Sequence, residues 1–147
     1  MSVAQPLLTM TIRRPFHWGI VVLIPEGDAQ VPDVDPDAMV STNGQALVIL
    51  VRHAQDVDSF DDDVRWAEAE IVFRLLVEEP TSAVPRREVF RGVIDMPSGR
   101  LEVGDADGNV VVPAHPGANT VIVTVDPAHP ADDLSPEQIQ VDLLPGS

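Results

Sequence analysis

Residues 63–77 read DVRWAEAEIVFRLLV, and whether this stretch is helix or strand decides the fold class. Asp63 is able to cap a helix, and Ala67, Glu68, Ala69 and Glu70 are good helix formers. Read in alternation, however, Ala67, Ala69, Ile71, Phe73, Leu75 and Val77 share one face, with Glu68, Glu70, Val72, Arg74 and Leu76 on the other. A surface helix here would be apolar all round from Ile71 to Val77, whereas a strand needs only one apolar face. The alternation predicts a strand over residues 67–77. Ser135-Pro136-Glu137 also resembles a helix start, but the alternation after it outweighs that signal.

Outward from this stretch the chain is punctuated at strand-like intervals. Fourteen prolines and nine glycines among 147 residues leave segments of about 5–10 residues. The candidate strands are 7–14, 17–24, 38–42, 46–52, 67–77, 88–95, 100–104, 109–113, 120–126 and 138–144. Three turns carry hairpin chemistry: Asn43-Gly44, whose residues tolerate the positive φ of a type I′ turn, Pro97-Ser98-Gly99, and the Asp-Gly within residues 105–109. The latter two predict a meander over residues 89–112. Val121, Val123 and Val125 share a face, as do Ile139, Val141 and Leu143, the latter on a half-buried antiparallel strand. Residues 46–51 are apolar on both faces and should be central. The expected architecture is all-β: a single domain over residues 1–147, an antiparallel β-sandwich of about eight to ten strands, with long acidic loops at one end.

Composition removes whole classes of function. With no cysteine there is no disulfide, thiolate metal site or cysteine nucleophile. All nine cations are arginine, so Schiff-base and phosphate-loop lysines are absent too. Twenty-four acids give a net charge of −15, which repels nucleic acid and anionic membrane surfaces and favours basic partners. No apolar run approaches the roughly 20 residues that span a bilayer. No cation precedes the short apolar stretch near Leu7 and Leu8, so a signal peptide is not expected and a cytoplasmic location is. No nucleophile elbow, glycine-rich phosphate loop or metalloprotease helix occurs, and no cofactor is expected.

The charge is concentrated. Between Glu26 and Asp63 stand ten acids against one cation, Arg52, in two loops, residues 25–37 and 55–63. The second carries Asp56, Asp58, Asp61, Asp62 and Asp63 around Phe60 and runs toward Trp66. It has three readings: a solvated loop, a docking surface in which like charges steer association and Phe60 anchors it, or a calcium site. The last lacks the 12-residue calcium loop with its central glycine and closing glutamate. Asp33, Asp35 and Asp37 alternate along a proline-rich loop, where they face solvent ahead of binding calcium or mimicking phosphate spacing; residues 105–109 resemble the start of a calcium loop but read as a turn. His17, His53, His115 and His129 show no zinc spacing. His115 and His129, each before a proline, read as exposed, and His53 with Asp56 or Asp58 is a remote catalytic pairing. Trp18, after Phe16, reads as core; Trp66 reads as core or as a binding anchor. Arg86, Arg87 and Arg91 read as neutralising nearby carboxylates ahead of clamping an anion.

The order of elements resembles one family. Phe16-His17-Trp18, the apolar strand after Gly44, the stretch from Trp66 to Leu75, the turn Pro97-Ser98-Gly99 leading into Leu101 and Val103, the valine-rich 120–125 and the close from Glu137 to Pro145 are similar to the competence-J family, small acidic β-rich inhibitors of the DNA-entry nuclease. The resemblance implies an acidic surface that occupies a nuclease's cationic groove in place of phosphates. The sequence thus points to a non-catalytic inhibitor or immunity-type partner of a basic protein such as a nuclease or toxin. Its docking residues are Asp56, Asp58, Phe60, Asp61, Asp62, Asp63 and Trp66, with no metal and neither nucleic acid nor membrane as partner. The alternative is a structural or self-assembling β-domain, with or without calcium.

Overall fold

The computed structural model describes residues 6–55, 66–80 and 85–146. Each of the ten segments is a strand: β1 (Leu8–Pro15), β2 (Ile20–Pro25), β3 (Val40–Thr42), β4 (Leu47–Leu50), β5 (Glu68–Leu75), β6 (Arg87–Met96), β7 (Arg100–Asp105), β8 (Gly108–Pro113), β9 (Gly117–Val125) and β10 (Gln138–Pro145). The deciding stretch is β5. Ala69, Ile71 and Phe73 are buried while Glu68 is exposed and Val72 and Arg74 are half-buried, the alternation the sequence shows.

Two five-stranded sheets face each other, ordered β1-β5-β10-β9-β6 and β3-β4-β2-β7-β8. One core joins them: Ile71, Phe73, Val121, Val123, Ile139, Val141 and Leu143 from the first, Val21, Leu23, Leu47, Ile49, Leu101, Val103 and Val112 from the second. Burial of these side chains from water is the principal stabilising contribution. A clamp links the sheets at their margin, where Arg14 of β1 pairs with Asp105 of β7 and lies over the Phe16 ring, 4.5 Å from its centroid.

Four expectations change. The pairing is not wholly antiparallel, because β10 runs parallel to β5, with Ile139 opposite Ile71 and Val141 opposite Phe73. β10 is the middle strand of its sheet and is covered on both faces, instead of being half-buried: Asp142 on its outer face is only 5% exposed. The 89–112 meander breaks at Pro97-Ser98-Gly99. There β6 leaves the first sheet and β7 enters the second, so Ile94, Met96, Leu101 and Val103 all reach the shared core; β7 and β8 alone form the hairpin. Its tight crossing requires Gly104, whose Cβ would run into the Gly108 carbonyl and lie 2.6 Å from the Asn109 Cα. Lastly, β4 stands one strand in from the edge, beside β3, and the turn between them is a four-residue loop with Gly44 at φ 84° and Asn43 Oδ1 accepting from Gln45 and Ala46 N.

The sandwich has two distinct ends. Pro15 of β1 turns into Ile20 of β2 at the near end, beside Leu50 of β4 and Glu68 of β5. At the far end Pro25 finishes β2 beside Leu101 of β7, and Leu8 lies opposite Leu75. The acidic loops are therefore not rooted together. Residues 26–39 leave from the far end, where Glu26 pairs with Arg100 at 2.9 Å, and run back along edge strand β3 until Met39 accepts from Leu50 N at 2.8 Å. The second loop leaves from the near end.

Candidate docking site

The near end is built by a turn that interrupts alternation. Phe16 is fully buried and bridges to His53, and its carbonyl accepts from Gly19 N at 3.0 Å, closing a turn over His17 and Trp18. Gly19 takes φ 68°, and a Cβ there would meet the His53 ring at 2.9 Å. Strand alternation would carry Trp18 inward with Phe16; the turn reverses it, leaving Trp18 62% exposed. Trp18 is thus a surface residue, contrary to its reading as core.

Trp66 is also exposed, at 49%, and stands edge-on to His17 with ring centroids 5.0 Å apart at 75°. The chain is described up to Gln55 and again from Trp66, and Ala67 N to Ala54 O, 2.9 Å, holds these two points together. Asp56, Asp58, Phe60, Asp61, Asp62 and Asp63 lie outside the described residues, so Trp66 is the one predicted docking residue whose place is described. Arg52 of the same end pairs with Glu137 at 3.5 Å, and Arg13 with Glu68 at 3.5 Å.

Among the described residues, Asp28, Asp33, Asp35 and Asp37 make no ion pair, although Glu26 does. Asp35 Oδ1 accepts from Asp37 N at 2.9 Å, which spends it on the loop's own backbone. No group of three or more His, Asp or Glu side chains arranged for a metal occurs among the described residues. Asp105, the start of the calcium-like sequence, is held by Arg14 and accepts from Asp107 N in the hairpin turn. His53 Nδ1 accepts from Gln55 N at 3.1 Å. His115 and His129 are half-buried, not exposed, each with Nε2 against a carbonyl: Leu76 O at 2.6 Å and Asp133 O at 2.8 Å.

The arginine trio divides. Arg91 binds Glu79 and Glu88, as a neutralising role requires, and its hydrogen bond holds the Glu79 carboxyl below the usual carboxylate range. Arg87 donates to His129 O at 2.9 Å. Arg86 has no carboxylate partner among the described residues; it donates Nε to Thr124 Oγ1 at 2.9 Å. That departure is invisible in sequence, because it depends on which strand faces the arginine.

Taken together, the geometry is that of a small two-sheet β-sandwich with two exposed tryptophans at one end. No protein-family sequence profile matches the chain, and no curated protein matches it in sequence. Solved structures do match in fold. ComJ from Bacillus subtilis, an inhibitor of the DNA-degrading activity of NucA, is similar at TM-score 0.61 and 12% identity over 99% of this chain and 100% of that one. The protein called crocagin biosynthetic gene J is similar at TM-score 0.53 and 16% identity over 99% of this chain and 98% of its own. The chain has a ComJ-like fold.

Proposed function

We propose that this protein is a non-catalytic acidic binding protein, an inhibitor or immunity-type partner of a basic protein of the nuclease class. It docks through its near end, with Trp66 beside the stretch carrying Asp56, Asp58, Phe60, Asp61, Asp62 and Asp63. The observation that carries the reading is the exposure of Trp66 at one of the two points that frame this stretch, together with that of Trp18 in the turn at the same end. Large aromatic side chains left in water on a −15 protein suit an interface whose centre is apolar and whose rim is charged. Acids steer a cationic partner inward, and the indole supplies contact area once docked. The inhibitor among its structural neighbours supports the same class.

The test titrates the purified chain into DNA digestion by a panel of cationic nucleases and measures binding from low to physiological salt. A stoichiometric inhibitory complex is expected, with affinity falling as salt rises. Trp66→Ala should weaken it by about tenfold or more with an unchanged melting curve. Changing Asp61, Asp62 and Asp63 together to Asn should slow association. No complex with any nuclease, or an affinity indifferent to salt, overturns the proposal.

A further inference from the structure

Beyond the docking end, the outer face of the first sheet carries the residues that follow β5. Leu76 packs there with Ile122 and Leu144 in a small second core. Beside it lies a cleft of about 380 Å³ whose lining includes Arg74, Glu79, Arg86, Ile122, Thr124 and Asp142. None of these residues belongs to the docking set.

The charges in this cleft do not cancel evenly. Asp142 is taken up by Arg74, whose Nε and Nη2 donate to its two oxygens at 2.7 and 2.8 Å, a bidentate pair that leaves that carboxylate satisfied. Gln140 Nε2 adds a long contact to Asp142 at 3.5 Å. Glu79 is turned toward Arg91. Arg86 is left with Thr124 alone: Nε to its hydroxyl at 2.9 Å and Nη2 to its carbonyl at 3.4 Å. A guanidinium has five N–H donors, so most of this one's remain unspent. Burial pulls the Arg86 guanidinium below its ordinary arginine value, and the more distant Asp126 and Asp142 act against that pull. A half-buried guanidinium with donors unspent can offer a carboxylate a charge-assisted pair. The Thr124 hydroxyl, accepting from Arg86, keeps its own proton for a second acceptor. Ile122 gives the floor an apolar element.

We propose that this cleft is a binding site for a small organic carboxylate, held on the Arg86 guanidinium with the Thr124 hydroxyl as second donor and its apolar body over Ile122. The planar fork of Arg86 matches a carboxylate's two oxygens, and the cleft's size is within the range of small-molecule pockets.

The experiment follows the Arg86 Nε–Hε resonance and the thermal midpoint of the full ¹⁵N-labelled chain during titration with isobutyrate at constant ionic strength. Isobutyramide, chloride and inorganic phosphate serve as comparators. A saturable Arg86 shift and a rising midpoint with isobutyrate, but not with the amide or chloride, are expected. Arg86→Gln should abolish the response, Thr124→Val should weaken it by about tenfold as one charge-assisted contact is lost, and Arg13→Gln should leave it unchanged. An equal shift with chloride or with the amide overturns the proposal, as does tighter binding of phosphate than of isobutyrate. If Arg86→Gln does not fold, the wild-type resonance and Thr124→Val still decide.

Discussion

Asp142 lies on the outer face of the central strand β10, directly opposite Arg74 of β5, and the two face each other in register. Arg74 is held more firmly protonated by that hydrogen bond, which outweighs its partial burial. A buried carboxylate of this kind is stabilising only while its partner remains. Arg74→Met should therefore cost about 3–5 kcal/mol, the penalty for leaving the buried Asp142 carboxylate without its partner. The double replacement Arg74→Met with Asp142→Leu should recover most of the loss, because neither charge then has to be desolvated. Urea denaturation of wild type, Arg74→Met, Asp142→Leu and the double variant gives the coupling directly. A double variant as unstable as Arg74→Met would mean that the site depends on packing and not on the pair.

At the level of elements, the turn between β1 and β2 separates two aromatics that look alike in sequence. Phe16→Ala should cost about 3–5 kcal/mol, since it empties a fully buried site. Trp18→Ala, with its ring in water, should change stability by no more than about 0.5 kcal/mol. Acrylamide, a neutral quencher, should reach both tryptophans in the native protein; protection of Trp18 would restore it to the core. The contrast also marks what the sequence could convey. Alternation in β5, β9 and β10 is a local signal, so all ten strands and the inward faces of Val121, Val123, Val125, Ile139, Val141 and Leu143 were legible. The parallel partnership of β5 with β10, and the switch of sheets at Pro97-Ser98-Gly99, depend on residues far apart in the chain, and two strands joined by a turn look the same whether they pair or part. Trp18 was misread because one turn with Gly19 at positive φ resets the alternation. The docking set rests on charge density and the aromatics beside it, and of it only Trp66 has a described position.

For the whole molecule the governing quantity is a net charge of −15. Most arginines that pair do so on the sheets, with Glu68, Asp105, Glu137, Asp142, Glu79 and Glu88, while Arg100 takes Glu26. The remaining acids repel one another across a screening length of about 10 Å at 0.1 M salt. Added sodium chloride should relieve this repulsion and raise the melting midpoint by a few degrees, about 1 kcal/mol in a chain of this size. The same salt should weaken capture of a cationic partner, so the two salt dependences have opposite signs. Calcium separates this account from a calcium-stabilised β-domain, since a specific site binds the folded state alone and raises the midpoint beyond what ionic strength does. Melts in calcium and magnesium chloride at equal ionic strength should coincide. A rise peculiar to calcium would assign the acidic loops to metal binding, and a midpoint flat with sodium chloride would remove charge repulsion as the reason those acids are free to meet a basic surface.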